Sequence, residues 1–493
     1  MRVFALVSAR LGLCLVLVVA CAAPLGAPKS DRAGLSWPWR TAKLPDPGVD
    51  LRAAAGGILS EAIRFDTTNP PGAERPLAEF LVAVATRLGL ESRVVATPPG
   101  ASGAERAAAW ALRRGQGSKR PVVLLSHLDV VPAEPAEWTV DPFEGVVGGG
   151  FVVGRGALDA KGIAIVHLLT LAELERRDIR LSRDVILLAV PDEEAGGRHG
   201  SGAIVRDRPE LLRGAEFLLT EGGGIVAGTT ETPELWGVTV TEKSPCWLEL
   251  RARGLAGHGA SAAGRGAVPR LVRALDRIRR LEAEVRVIPE VERMFQELAS
   301  LAPTADRAGY ASLARTLATD PDFRERFLAE PGRASLVRDT VAITVLEGSP
   351  SVNIAPAMAR ARLDARLLPG RGCPDFVVEL HDAVDDPEIE IETLLAFEAG
   401  ASSIDSELFA AIRRSAARRS EGARVIPRVI SGFTDAHYFR ELGITSYGFV
   451  PRRLRPIETR GIHGVNERIS LDNLVYGVET LIEILIELAG RNG

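Results

Sequence analysis

The 493-residue chain has almost no excess of charge: 60 Lys and Arg residues stand against 64 Asp and Glu residues, and the formal net charge is -4. This balance gives no sign of the basic surface that nucleic acids require, so we expect no nucleic-acid partner. Internal sequence repeats are also missing, and the chain has only four cysteines. The composition, 46% hydrophobic and 25% charged, is sufficient for two domains with substantial cores.

The N-terminal apolar stretch, residues 11–20, is too short to cross a bilayer as a stable anchor. Arg2 and Arg10 precede it, which is typical of an export signal, here residues 1–21. Cys21 has two interpretations. With the preceding VVA it resembles a bacterial lipobox, so that a lipid would tether the protein to a membrane surface; equally, ACA fits an ordinary cleavage site. We expect a lipoprotein of the bacterial cell envelope or periplasm, with secretion as the alternative.

Residues 22–48 are rich in Pro, Ala and Gly and are expected to form a flexible linker. After export, Cys246 and Cys373 would be the remaining thiols. These two cysteines could form a disulfide, but the sequence does not fix their distance.

Two aliphatic runs, residues 122–125 and 185–190, are typical of strands buried on both faces of a mainly parallel sheet. Residues 162–175, apolar with a polar final turn, favour a helix between them. Strand, helix and strand in this order predict an α/β fold, and in such sheets ligands bind beyond the carboxyl ends of the strands.

Histidines and carboxylates stand near the ends of these runs or in loops that can reach them. Five are candidate metal ligands: His127, Asp159, Glu194, Glu221 and His463. Nitrogen and oxygen ligands without thiolate suit zinc, with cobalt or manganese as alternatives. Three carboxylates and one hydroxide balance two divalent cations, so a bridged metal pair is favoured, with Asp159 as the natural bridge.

Two further acidic residues are predicted to be catalytic. Asp129 lies on the same side of its strand as His127, because side chains alternate with period two, and can orient that imidazole. Glu193, adjacent to a predicted ligand, can take a proton from the attacking water and pass it to the leaving amine.

The motifs HLDVVP, WTVDPFEG, GRGALDAKG, DEEAGGRHG and IHGVNERIS together resemble the zinc metallopeptidase family of carboxypeptidase S, aminoacylase and succinyl-diaminopimelate desuccinylase. The carboxypeptidase S and N-acyl-amino-acid hydrolase branch is the most similar, and the resemblance runs from about Leu51 to the C-terminus. It implies that His127 and Glu221 hold one zinc, Glu194 and His463 the other, and Asp159 both. It also implies a cis peptide after Asp159.

The resemblance further implies a catalytic domain, residues 49–244 and 400–493, with an inserted α+β lid or dimerisation domain, residues 245–399. The alternating pattern of residues 246–253 and an apolar helical stripe beyond it are consistent with such a domain. Between residues 287 and 339 a helical-looking segment resembles the enlarged lid of the carboxypeptidase S branch and is a candidate for shaping an acyl-group pocket.

By the same resemblance, His258 matches a histidine that steadies the oxyanion, in many members in the active site of a partner subunit. Substrate-binding positions match Asn353, Arg366, Gly432 and Thr434. Two of these assignments have an alternative: His258 also fits a turn between glycines, and the charge alternation of RARLDAR, which contains Arg366, is typical of an exposed strand face.

The sequence therefore predicts a metal-dependent hydrolase, in which a water bridging two metal ions attacks the amide bond of small peptides or N-acyl amino acids with a free carboxylate. A homodimer through the lid domain is a further expectation. The alternatives are a catalytically silent binding protein of the envelope and a zinc aminopeptidase of related fold, which typically lacks the inserted lid.

Overall fold

The computed structural model describes residues 44–100, 103–261, 264, 266–459 and 461–489. The predicted export signal, with Cys21, and residues 22–43 of the predicted linker lie outside the described residues. Within the described part of the chain, no helix is both long and apolar enough to span a bilayer.

The described strands form a large mixed sheet, a smaller four-stranded antiparallel sheet, a short three-stranded sheet and a two-stranded ribbon. In chain order they are β1 (Glu91–Thr97), β2 (Arg106–Arg113), β3 (Val122–His127), β4 (Val146–Gly148), β5 (Phe151–Val153), β6 (Val185–Val190), β7 (Phe217–Thr220), β8 (Gly224–Val226), β9 (Leu235–Glu242), β10 (Ser244–Arg253), β11 (Gly257–His258), β12 (Thr340–Glu347), β13 (Ile354–Ala355), β14 (Met358–Leu367), β15 (Ile389–Ala396), β16 (Arg424–Ile430), β17 (Thr445–Gly448), β18 (Arg453–Leu454) and β19 (Arg468–Ser470).

The described α-helices, in chain order, are α1 (Leu51–Ile63), α2 (Arg75–Arg87), α3 (Lys161–Arg176), α4 (Ser201–Asp207), α5 (Ala267–Arg279), α6 (Pro289–Leu298), α7 (Arg307–Ala311), α8 (Leu313–Thr319), α9 (Pro321–Leu328), α10 (Pro331–Ser335), α11 (Cys373–Val384), α12 (Glu407–Arg419), α13 (Ala436–Glu441), α14 (Pro456–Thr459) and α15 (Leu471–Ala489).

The middle of the large sheet is parallel, in the order β6-β3-β7-β17, and antiparallel strands β2 and β1 extend it on one side. Every residue of β3 and of β6 is buried. Helices cover such a sheet on both faces, which is why these strands consist of continuous aliphatic runs rather than alternating ones. The predicted α/β fold and its two buried strands are confirmed.

Helix α3 lies between the two predicted strands in sequence and packs on the sheet beneath α1 and α15. Its residues from Lys161 to Leu174 are all buried, because it is covered by helices on one side and by the sheet on the other. The predicted helix, residues 162–175, is one residue shorter at each end than the observed one.

The smaller sheet has the strand order β12-β14-β10-β15 and is antiparallel throughout. Helices α5 and α11 cover one face of it, where Leu271, Leu275 and Ile278 of the predicted apolar stripe are buried. Cys246 on β10 and Cys373 at the start of α11 form a disulfide, with a Cα–Cα distance of 5.4 Å. The pairing that the sequence left open is therefore present.

The segment from α6 to α10 is helical, as predicted, and it forms a small core of its own that includes Phe295, Phe323 and Phe327. Helix α6 packs against β16 of the large sheet, and Val429 of β16 belongs to this core. This helical segment therefore packs on one face of β16, and the other face of that strand borders the site described next.

Candidate metal centre and its cavity

The predicted metal ligands come from several separate segments of the chain. His127 is the last residue of β3, Glu194 follows β6, and Glu221 follows β7 directly. Asp159 precedes α3, and His463 lies in the loop before β19. Because β3, β6 and β7 are parallel neighbours, their carboxyl ends share one edge of the sheet, and the loops bring Asp159 and His463 to the same place.

The two carboxylate oxygens of Asp159 face different partners. Oδ1 lies 3.0 Å from Nε2 of His127, and the same nitrogen is 3.6 Å from Oε2 of Glu221. Oδ2 lies 3.2 Å from Nε2 of His463, which is also 3.2 Å from Oε1 of Glu194. Two sets of nitrogen and oxygen ligands therefore share Asp159, in the pairing that the sequence resemblance implies.

These distances fit ligands arranged around a metal ion. With metal–ligand bonds of about 2.0–2.1 Å, neighbouring ligands of a tetrahedral site are about 3.3 Å apart. The measured separations of 3.0 to 3.6 Å bracket that value. Ligand atoms of His127, Asp159 and Glu194 also lie within 4.8 Å of one another, as do those of His127, Glu193 and Glu221. The donor set can hold divalent metal.

The crowding of carboxylates is costly unless positive charge balances it. Burial raises the pKa of Glu193 well above its usual value, and the nearby Glu221 carboxylate adds to this. Burial likewise raises the pKa of Glu221 to about 7. Hydrogen bonds to Asp159 and Glu194 raise the pKa of His463 to about 10. The raised pKa values of Glu193 and Glu221 show that negative charge is unfavourable here without a balancing cation, so the site favours bound cations.

Asp129 organises the turn that carries both predicted glutamates. Its carboxylate accepts hydrogen bonds from the backbone N–H of Glu193 at 3.1 Å and of Glu194 at 3.0 Å. The contact with His127 differs from the expected one, since Nδ1 of His127 lies 2.9 Å from the Asp129 carbonyl oxygen but 3.5 Å from the carboxylate. Asp129 therefore fixes the imidazole through its backbone and the glutamate turn through its side chain.

A buried polar network behind Asp129 was not predicted from the sequence. Asn69 donates to Asp129 at 2.8 Å, and Arg106 donates to Asn69 at 3.0 Å and to Asp192 at 2.5 Å. Arg106 also pairs with Glu74, and both side chains are almost completely buried. Asp192 has a left-handed backbone, φ 78°, and immediately precedes Glu193. The network thus fixes the start of the glutamate turn.

Glu467 is a second unpredicted residue, although it stands within the IHGVNERIS motif. Its completely buried carboxylate accepts hydrogen bonds from the backbone N–H groups of Gly156, Leu158 and Asp159, and from the Arg155 guanidinium at 2.8 Å. It therefore holds the loop that presents the shared Asp159. The peptide bond between Asp159 and Ala160 is cis, as predicted.

A cavity of about 590 Å³ opens beside the ligand cluster, and Asp159, Glu193, Glu221 and His463 form part of its wall. Much of the remaining wall is apolar: Ile225, Val226, Ile430, Phe433, Leu454 and Ile462. The wall also includes Arg428 and Arg452. A cavity of this size that combines charged and apolar side chains suits a small amphipathic molecule.

The predicted substrate-binding residues divide into two groups. Gly432 and Thr434 line the cavity. The Thr434 hydroxyl donates to the buried Glu242 carboxylate at 3.0 Å, so its proton is already engaged. Arg366 is not in the cavity wall but contacts a residue that is: its guanidinium lies 4.7 Å from the ring centroid of Phe433. The same guanidinium donates two hydrogen bonds to Asp364. The Arg366 side chain is 18% exposed, whereas Arg360 and Arg362 on the same face of β14 are exposed, so the strand face becomes more covered towards Arg366.

His258 and Asn353 lie together on the smaller sheet's flank and not in the cavity wall of their own chain. His258 pairs with Ile354 in the short ribbon of β11 and β13, and the Asn353 carbonyl accepts from Gly259 N–H at 2.8 Å. Both His258 and Asn353 are exposed. The structure therefore leaves these two predicted residues apart from the ligand cluster.

A shared aspartate between two nitrogen–carboxylate ligand sets, at the strand ends of an α/β sheet, defines the class of metal-dependent hydrolases. The sequence profile of the peptidase family M20/M25/M40 matches residues 123–487. The chain belongs to this family and is a metallo-hydrolase, which confirms the family resemblance and the enzyme class predicted from the sequence.

The chain is similar to named members of two enzyme groups. It is 28% identical over 380 residues to the N-fatty-acyl-amino acid synthase/hydrolase PM20D1 of Xenopus tropicalis, covering 75% of this chain and 72% of that protein. It is 27% identical over 440 residues to aminoacylase-1 of Mus musculus, covering 88% and 94% of the two chains.

Solved structures show the same fold. An M20 family metallo-carboxypeptidase from Sulfolobus solfataricus superposes with a TM-score of 0.68 at 20% identity, covering 87% of this chain and 98% of that one. Human carnosine dipeptidase 1 superposes with a TM-score of 0.64 at 16% identity, covering 90% and 98%. A hydrolase of peptides or N-acyl amino acids is the function that this family membership supports.

Proposed function

We propose that this protein hydrolyses N-acyl amino acids that bear a free carboxylate, using two divalent metal ions, with zinc as the best fit to the donor set. The observation that carries the proposal is the position of Asp159, whose two oxygens face His127 and His463 separately at 3.0 and 3.2 Å. Two ligand sets that share one carboxylate match a pair of metal ions better than a single ion.

The chemistry divides between the ions and the chain. Two divalent ions held by His127, Asp159, Glu194, Glu221 and His463 would supply Lewis-acid chemistry to the amide carbonyl and to the attacking water. Glu193 lies in the cavity wall beside the ligands, where it can accept the proton of the attacking water and return it to the leaving amine. Asp129 holds Glu193 in place through the backbone hydrogen bond of 3.1 Å.

The choice of N-acyl amino acids over small peptides rests on the cavity wall. Apolar side chains such as Ile225, Ile430 and Leu454 favour an acyl chain over a second charged amino acid, because burying a free ammonium group among them is costly. The similarity to an N-fatty-acyl-amino acid synthase/hydrolase and to aminoacylase-1 supports the same class. Dipeptides are the second candidate and belong in the same assay.

The test is the Glu193→Gln variant on a panel of N-acyl amino acids and dipeptides. An amide fills the same volume but cannot accept the proton, so turnover should fall about a hundredfold to ten-thousandfold while metal content is unchanged. Near-normal turnover would exclude Glu193 as the base. Loss of metal would show that Glu193 and Glu194 have exchanged roles. Activity on dipeptides alone would reject the N-acyl class.

We also propose a homodimer in which His258 and Asn353 of one chain complete the cavity of the other, with Arg366 supporting the substrate carboxylate. The support is that His258 and Asn353 are exposed and do not line their own cavity. Mixing His258→Ala chains with Glu193→Gln chains should restore activity through hybrid dimers. No recovery after proven subunit exchange would indicate that the lid closes over its own chain.

Export remains a proposal, supported by the Cys246–Cys373 disulfide, since such bonds persist in oxidising compartments. Intact-mass analysis of the protein from a bacterial host distinguishes a lipidated Cys21 from an unmodified N-terminus. A protein retained with residues 1–21 in the cytoplasm would reject both forms of export.

A further inference from the structure

Strand β16 forms one wall of the cavity, and its side chains alternate between two environments. Arg428 and Ile430 line the cavity, while Val429 between them belongs to the core formed by the helices from α6 to α10. Alternation with period two produces this division, and the packing of α6 on β16 fixes the strand. Arg428 therefore lies in the cavity wall on a strand that is packed against a helix.

Arg428 differs from Arg366 and Arg452 near the cavity, because none of the residues that the structure describes gives it a counter-charge. Arg452 donates to the Leu158 carbonyl and has the Asp159 and Glu221 carboxylates nearby, and Arg366 is paired with Asp364. The Arg428 side chain forms no hydrogen bond or ion pair with any described residue, and burial alone lowers its pKa. The Arg428 side chain is partly buried, and because no described residue supplies an anion, its guanidinium is available to an anionic group of a ligand.

The neighbouring strand leaves room for this side chain. A Cβ atom at Gly237 of β9 would lie 2.3 Å from Cδ of Arg428 and 3.3 Å from its Nη1. The absence of a side chain at position 237 thus lets the Arg428 stem lie across β9 on its way to the cavity. The Arg428 stem is therefore packed against β9, and its planar guanidinium can pair with a planar anion in the cavity.

We propose that Arg428 binds a carboxylate of the substrate inside the cavity and makes the enzyme select substrates with an anionic group at that position. The inference rests on the proposed amide hydrolysis and adds to it a residue that determines specificity. The carboxylate can come from two parts of the substrate: the amino acid itself, or the far end of a dicarboxylic acyl group. Both offer the same bidentate partner for a guanidinium.

The experiment compares Arg428→Met with the matched control Arg424→Met, which removes an exposed guanidinium from the same strand. Three substrates separate the two sources: N-hexanoyl-leucine, N-hexanoyl-leucinamide and N-adipoyl-leucine. Loss of a charge-assisted pair should raise KM about 10- to 100-fold with little change in kcat. Arg424→Met should behave as the unmodified protein. Arg428→Gln serves as a second variant if Arg428→Met does not fold.

The pattern of losses identifies the bound group. If Arg428→Met raises KM for N-hexanoyl-leucine and N-adipoyl-leucine but not for N-hexanoyl-leucinamide, Arg428 binds the amino-acid carboxylate. If KM rises only for N-adipoyl-leucine, Arg428 binds the carboxylate at the far end of the acyl group. Equal penalties on all three substrates, or none on any, would overturn the proposal.

Binding measurements keep this inference separate from the proposed reaction. Calorimetric titration of N-hexanoyl-leucine and N-adipoyl-leucine into Glu193→Gln and Glu193→Gln/Arg428→Met chains reports affinity without turnover. Tight binding to Glu193→Gln chains that depends on Arg428, together with no hydrolysis of either compound by the unmodified protein, would reject the reaction and retain the anion site. Hydrolysis by the unmodified protein, together with substrate affinity that does not depend on Arg428, would retain the reaction and reject the anion site.

Discussion

Replacing Glu467 with glutamine should weaken both the fold and the metal centre, although Glu467 is not a predicted ligand. Its two oxygens accept four hydrogen bonds: Leu158 and Asp159 N–H on Oε1, and Gly156 N–H and the Arg155 guanidinium on Oε2. Glutamine keeps one oxygen but places an NH2 group against two of these donors.

The expected loss in the free energy of unfolding follows from the burial of the Arg155–Glu467 ion pair. Arg155 and Glu467 have side-chain exposures of 3% and 0%, so the substitution leaves the Arg155 charge buried without a carboxylate. Breaking a buried ion pair in this way costs about 3–5 kcal/mol. A matched surface change, Glu479→Gln, removes the pair with Arg177, whose side chains are 37% and 30% exposed, and should cost at most about 1 kcal/mol.

Urea unfolding of metal-free protein measures the structural part of this effect. Competition with a chromophoric chelator measures zinc affinity, which should fall at both sites because Glu467 holds the N–H of the shared Asp159. The reasoning is refuted if Glu467→Gln unfolds within about 1 kcal/mol of the parent and binds both ions with unchanged affinity.

Two further predictions concern parts of the chain away from the metal centre. The Cys246–Cys373 disulfide closes a loop of 127 residues, so replacing both cysteines with alanine should lower the free energy of unfolding by about 2–5 kcal/mol, as measured by urea denaturation without reductant; no change would show that the bond is not a stabilising cross-link. Burial lowers the pKa of His167 to about 3, against about 6.5 when unfolded. Between these values only the unfolded chain binds the proton, so this contribution to stability is present above pH 6.5 and is lost as pH falls, by up to ~1.4 kcal/mol per pH unit. His167→Leu should therefore flatten the stability profile from pH 7 to pH 5 relative to the parent, and parallel profiles would contradict the assignment.

The sequence predicted the parts of the site that depend on local pattern. His127, Glu194 and Glu221 follow apolar runs, and a parallel sheet brings the ends of such runs together. Asp159 and His463 were predicted as ligands from the composition of their motifs, and the structure places their side chains 3.2 Å apart. The buried strands and α3 were predicted for a similar reason, since their periodicity is set by burial on both faces.

The residues that were missed act through partners far away in the sequence. Glu467 contacts Asp159 across 308 positions, and Asn69 contacts Asp129 across 60. A single buried carboxylate or amide has no local signature, because its role is defined only by the donors that tertiary packing brings to it. Glu467 could have been suspected from its place in the IHGVNERIS motif, whereas nothing near Asn69 marks it.

Charge in the cavity wall was also beyond sequence analysis. Arg366 and Arg428 both lie on strands, yet Asp364 neutralises the first and no described residue neutralises the second. Likewise, the Thr434 hydroxyl is engaged by Glu242, which is 192 positions away. Which polar groups remain available to a substrate depends on such long-range pairs and not on the residue types.

The central claim, that Asp159 serves two metal ions at once, is tested most directly by the number of zinc ions bound per chain. Elemental analysis after dialysis against zinc should give two ions for the parent protein. Asp159→Asn should lose affinity at both sites, because each of its oxygens faces one ligand set. A folded parent chain that holds no more than one ion at saturation, or an Asp159→Asn variant that keeps one site at full affinity, would contradict the account.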